Sequence, residues 1–106
     1  MKLREQGIVM GQLHTGKNNC ITDVEGVRVG HVTLDYPLDE QGEYACTGVT
    51  AILPHGGNLF KQKVTAASYV LNGFGKTTGL VQVNELGVLE SPIMLTNTFG
   101  VPAVTQ

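Results

Sequence analysis

Apolar residues in this chain come in short runs, each closed within a few positions by glycine, proline or asparagine. That punctuation dictates strands joined by tight turns rather than long helices, and the 14 glycines suit it. Val27 and Val29 alternate with Arg28 and Gly30 toward His31, the period-2 mark of a first strand. Val49–Leu53 is a second strand, stopped by Pro54 and turned by Gly56-Gly57. Between them, Asp35 to Tyr44 is charged and holds Pro37 and Gly42, which predicts an exposed loop. Val64 to Leu71 is apolar and rich in small residues, and it ends in Asn72-Gly73, a dipeptide that accepts the positive φ of a tight turn. A short helix is expected over Gln82 to Glu90, with Gly87 against a long one. Pro92 precedes Ile93 to Thr96, a strand with an almost unbroken apolar face. Pro102 suits the first turn of a helix, although Gln106 comes before that helix is expected to form.

Together these elements read as an α+β chain with strands in the majority. Residues 1–106 form one domain or part of one, with 1–18 a polar lead-in. Three or four strands and one helix leave sheet edges unpaired and a face uncovered, so a partner segment is expected to cover them.

Composition removes several classes of function. At 42% apolar and 15% charged, the chain is too hydrophobic for intrinsic disorder. Its net charge is −2 and no basic stripe is present, which argues against nucleic acid. No run approaches the roughly 18 apolar residues of a membrane span, and Met1 to Gln6 lacks the apolar core of a secretory signal. The expected location is the cytoplasm. There Cys20 and Cys46 would be free thiols acting as small buried hydrophobes, and neither has a zinc-ligand spacing.

No complete catalytic constellation is present. Gly73-Phe74-Gly75-Lys76-Thr77-Thr78 approaches a phosphate loop, but the first glycine of that motif would fall at Val70, so a glycine-rich hairpin or bulge is the better reading. His55-Gly56-Gly57 after a strand resembles the oxyanion loop of lipases, yet the serines, Ser68 and Ser91, lack the flanking glycines of that nucleophile. His14, His31 and His55 do not fall at metal spacing, and no cofactor is expected. Glu85 and Glu90 are acids in an otherwise weakly charged stretch. Either could face a cleft and hold a substrate cation, or lie on a solvated helix face.

Several phrases, in order, carry a resemblance. Asn19-Cys20-Ile21-Thr22-Asp23-Val24-Glu25-Gly26-Val27-Arg28-Val29-Gly30-His31 is followed by Thr47 to Pro54, Val70 to Gly75, Thr78-Gly79 and Leu95-Thr96-Asn97-Thr98. From Asn18 onward the chain resembles the L-aminopeptidase/D-esterase and β-peptidyl aminopeptidase family, a group of self-processing N-terminal-nucleophile serine peptidases. The resemblance implies an αββα sandwich, two packed sheets flanked by helices, only partly contained in this chain. It implies the N-terminal portion of an α-subunit whose precursor cuts itself before a serine. That serine, on the C-terminal remainder of the precursor, would attack the substrate carbonyl and form an acyl-enzyme. No residue here matches it, so the chain alone has no catalytic residue. The resemblance assigns recognition of the substrate's free amino group to an acid near the start of the short helix, which by position is Glu85. It also implies a homo-oligomer acting on small peptides or amino-acid amides. The departures are Val83-Asn84-Glu85, where a tryptophan-containing phrase is common, and the loop from Leu34 to Tyr44, which matches no family pattern. Two other readings are an acyltransferase of similar fold, of the arginine-biosynthesis type with a threonine nucleophile, and a truncated, non-catalytic interaction protein.

Overall fold

A computed structural model describes residues 3–106. Its frame is a hairpin of β1 (Arg28–Pro37) and β2 (Tyr44–Leu53), antiparallel and in register from Arg28 opposite Leu53 to Pro37 opposite Tyr44. The strand expected over Val27 to His31 therefore runs six residues further, through the segment expected to be a charged loop. The reversal is confined to 38–43. There Leu38 N–H donates to the Glu43 carbonyl at 2.8 Å, and Asp39 Oδ1 accepts from the N–H groups of Gln41 and Glu43. Pairing of a strand with a ten-residue partner satisfies its backbone whatever the local charge, and Pro37 is tolerated because β1 is an edge strand.

Alternation assigns the hairpin faces. Val32, Leu34 and Tyr36 lie across from Val49, Thr47 and Ala45, while Thr33 and Asp35 lie across from Gly48 and Cys46. Cys46 thus belongs to the polar face and is exposed. Cys20 is exposed too, heading a 3-10 turn (Ile21–Asp23). Both thiols are free, but neither is the buried hydrophobe expected.

Three residues of β5 (Ile93–Leu95) pair antiparallel with Thr50–Ile52, giving the order β1-β2-β5. A second antiparallel sheet joins β3 (Val64–Thr65) to β4 (Val88–Leu89). Helix α1 (Leu80–Leu86) precedes β4, and α2 (Val101–Thr105) follows a 3-10 turn at Thr98–Gly100. Pro102 lies in the first turn of α2, which does form, as a single turn. The helix expected over Gln82 to Glu90 starts two residues earlier and stops at Gly87. There the backbone turns left-handed (φ 66°) and its N–H caps the Val83 carbonyl. The last residues of the expected helix are strand and loop instead. Asn72 and Gly73 do not take the positive φ expected of them. The chain is α+β, with little of its apolar surface enclosed: among the described residues only Ala45 and Leu59 are buried hydrophobics, while Leu13, Leu71, Phe74 and Phe99 are almost fully exposed.

Candidate functional site

The site is the space between the two sheets' connections, where α1, the end of β4, β5 and α2 meet. Their side chains, among them Leu80, Val83, Met94 and Val104, wall an open cavity of about 670 Å³, with Thr78 at one side. Asn97 holds the far wall. Its Oδ1 accepts from Gly100 N–H at 2.7 Å, capping the 3-10 turn into α2, and its Nδ2 donates to Thr47 Oγ1 at 2.7 Å, tying that turn to β2.

The carboxylate lining this cavity is Glu90. Register explains its surroundings. Val64 pairs with Leu89 and Thr65 with Val88, so one step beyond the ladder Lys63 falls opposite Glu90. The Lys63 ammonium ion-pairs with Glu90 Oε2, and Gln82, on α1, donates to Oε1. The Glu90 side chain is 22% exposed and Lys63 37%. The hydrogen bond from Lys63 holds the Glu90 carboxyl below the usual carboxylate range, against partial desolvation and helped by the lysine's charge and by Gln82. Lys63 also donates to the Phe60 carbonyl at 2.9 Å and sits 4.1 Å from the centre of the Phe60 ring.

Glu85 lies in the last turn of α1 rather than near its start. It is exposed and does not line the cavity. The neighbouring Asn84 accepts from Ser68 Oγ at 2.6 Å, docking the helix end on the segment after β3. Ser91 donates to the carbonyl of Pro92 at 3.3 Å. His55 is locked in a turn: its Nε2–H donates to the Gln62 carbonyl at 2.8 Å and its Nδ1 accepts from Gly57 N–H at 3.0 Å. His31 Nδ1 lies 2.9 Å from Thr50 Oγ1 across the hairpin. Among the described residues no three His, Cys, Asp or Glu converge as a metal site. The glycine-rich run 73–78 is neither hairpin nor bulge but irregular chain, and its phosphate-loop reading lacks the strand that should precede it, because β3 ends at Thr65. Sequence reasoning missed Lys63 and Gln82; Lys63 stands 27 positions from Glu90, and nothing local signals their meeting.

The opening phrase of the chain is organised by Asp23. Its carboxylate accepts from Asn18 N–H at 3.0 Å, Asn18 Nδ2 at 2.8 Å and Cys20 N–H at 3.2 Å, and Asn19 takes a left-handed φ of 51° between them. Desolvation pushes the Asp23 carboxyl up, but the bonds from Cys20, Asn18 and Asn19 outweigh it and set it below the ordinary range. A carboxylate lowered in the folded state stabilises the fold above its unfolded pKa and ceases to as pH falls through its folded value. Amide hydrogen exchange at Asn18 and Cys20 is therefore expected to stay slow at mildly acidic pH and to accelerate, beyond the intrinsic trend, once Asp23 protonates. Asp23→Asn is expected to show the fast exchange at every pH.

Comparison with known proteins places this arrangement. A profile described as peptidase family S58 matches residues 19–106. The chain belongs to peptidase family S58. It is 41% identical over 92 residues to the β-peptidyl aminopeptidase BapA of Sphingosinicella microcystinivorans, covering 84% of this chain. It is 42% identical over 95 residues to the BapA of Sphingosinicella xenopeptidilytica, covering 86%. The chain spans 23% of the length of each of these relatives. Among solved structures, a β-aminopeptidase of Burkholderia sp. superposes with a TM-score of 0.86 at 44% identity, over 98% of this chain and 29% of the other. The PH0078 protein of Pyrococcus horikoshii OT3 superposes with a TM-score of 0.85 at 50% identity, over 99% of this chain and 31% of the other. No helix among the described residues is long and apolar enough to cross a membrane.

Proposed function

We propose that this S58 segment belongs to a self-processed serine aminopeptidase or amidase that releases the N-terminal residue from peptides, amides or esters. The observation that carries the reading is the match over residues 19–106 to peptidase family S58. The relatives named β-peptidyl aminopeptidases and the half-buried carboxylate on an apolar cavity support it. In this reading the remainder of the precursor supplies a serine freed at its N-terminus by self-cleavage. The serine hydroxyl attacks the substrate carbonyl while its α-amino group accepts the proton. That proton passes to the departing amine or alcohol, and water then releases the acid from the acyl-enzyme. This chain contributes the cavity wall and a carboxylate that holds the substrate's ammonium, which restricts cleavage to the N-terminal residue. The resemblance assigns that carboxylate to Glu85; the cavity geometry favours Glu90, and we propose Glu90 as the anchor. The wide exposure of Leu13, Leu71, Phe74 and Phe99 fits a segment covered by the rest of its precursor and by further copies in a cytoplasmic homo-oligomer.

The test is intact mass spectrometry of the complete protein, followed by assay on alanyl and β-alanyl p-nitroanilides. Two polypeptides, the second beginning with serine, together with release of nitroaniline are the expected outcome. A single uncut species that leaves both anilides intact sinks the enzymatic reading and favours a non-catalytic binding protein. An uncut or threonine-headed product that transfers acyl groups favours the acyltransferase.

A further inference from the structure

We infer that Lys76 is a specificity-determining residue of the cavity and draws in substrates that carry a carboxylate. The inference rests on the hydrolase reading above, but not on which acid holds the substrate's amine. Among the described residues two charged side chains line the cavity, Lys76 and Glu90. The charge of Glu90 is answered by Lys63, which lies outside the lining, and its other oxygen is taken by Gln82. Lys76 has no such answer: among the described residues no carboxylate lies within ion-pair distance of its ammonium. The cavity thus keeps one uncompensated charge, and that charge is positive. The chain as a whole carries −2, so the positive cavity is a local arrangement and not a reflection of overall composition.

The fold gives that charge a fixed address. Lys76 stands in the irregular run 73–78, two residues before Thr78. Thr78 Oγ1 lies 3.4 Å from Thr105 Oγ1 of α2. One residue later Gly79 takes a left-handed φ of 83° and the chain enters α1. The run is thereby pinned at its end to two walls of the cavity, and Lys76 is exposed beside them. An ammonium beside an apolar cleft attracts an anion more strongly than the same group on open surface, because low-dielectric walls focus its field. Lysine also suits a carboxylate that must enter and leave, since its flexible stem lies along apolar surface while the ammonium stays hydrated.

The carboxylate can come from an acidic side chain on the released residue or from the free C-terminus of a short peptide, and two substrate pairs separate these sources. In the complete protein, kcat/KM is measured for glutamyl against glutaminyl p-nitroanilide, and for alanylalanine against alanylalanine amide. The acid is expected to be preferred in at least one pair, by about fivefold, the upper range of a partly exposed ion pair. The pair that shows the preference names the source, and added salt should shrink it. Lys76→Met should abolish the preference, Lys76→Arg should keep it, and Lys76→Glu should turn it against the acid. A ratio taken within each pair cancels any general loss of activity, and the charge-reversed variant keeps the test open if Lys76→Met does not fold. A parent that cleaves alanyl p-nitroanilide but prefers neither acid, or a preference that survives in Lys76→Met or Lys76→Glu, overturns the role of Lys76 and leaves the hydrolase reading standing. A parent that cleaves neither alanyl nor β-alanyl anilide, and none of these four substrates, takes down both.

Discussion

Glu90→Gln is expected to lower kcat/KM for alanyl p-nitroanilide by about ten- to a hundredfold in the complete protein, while self-cleavage, read by intact mass, proceeds. The magnitude follows from replacing a charge-assisted hydrogen bond, worth about 1.5–3 kcal/mol, by a neutral one. Most of the loss should appear in KM, because the ammonium is held alike in ground and transition states. Glutamine keeps the volume and one acceptor oxygen, so the cavity wall is preserved. Glu85→Gln is the paired measurement, and the larger loss is expected at Glu90. The reverse order returns the anchor to Glu85, where the resemblance put it. Because Lys63 holds the Glu90 carboxyl below the usual range, the proposed anchor stays charged throughout neutral pH. KM should therefore rise only as pH falls through that lowered value, and the acid limb should vanish in Glu90→Gln.

Gly48→Ala is the substitution expected to cost most in stability. Gly48 sits in β2 opposite Thr33, and a Cβ there would lie 2.5 Å from the Val32 carbonyl oxygen and 3.4 Å from the Thr33 Cα. The obstacle is backbone, so no side-chain rotation relieves it. The strands must separate or twist at the point where Thr96 Oγ1 also donates to the Gly48 carbonyl at 3.4 Å. Overpacking of this kind costs about 1–3 kcal/mol, to be read as a lowered urea midpoint of the complete protein. Gly30→Ala is the contrast. Nothing lies within 4 Å of a Cβ at Gly30, in the same hairpin, so the midpoint should barely move. Equal effects at the two positions would show that glycine flexibility, not the close approach, matters at 48.

The legible parts of this protein are those with local causes. Alternation from Val27 and the run Val49–Leu53 marked both strands of the hairpin, Pro54 marked where β2 ends, and Pro102 marked the start of α2. Gly87 counted against a long helix, but the expected one still ran past it to Glu90, whereas the left-handed backbone at Gly87 ends it at Leu86. The ordered phrases from Asn19 onward were enough to reach the S58 family.

Other features were invisible because their causes lie far away in sequence. Asp35 and Pro37 look like loop residues, and only ladder bonds to Cys46 and Tyr44 make them strand. The two-residue strands β3 and β4 have no periodicity to read, and each exists because the other is there. Their register sets Lys63 against Glu90, turning an acid that resembled Glu85 in sequence into the one carrying an ion pair at the cavity. Sequence by itself determined the α+β class, the cores of the two main strands and the family, since these rest on backbone preference and on the order of nearby residues. Tertiary structure alone decided how long the hairpin is, which cysteines meet solvent and which carboxylate faces the cavity, since each depends on pairing between segments tens of residues apart.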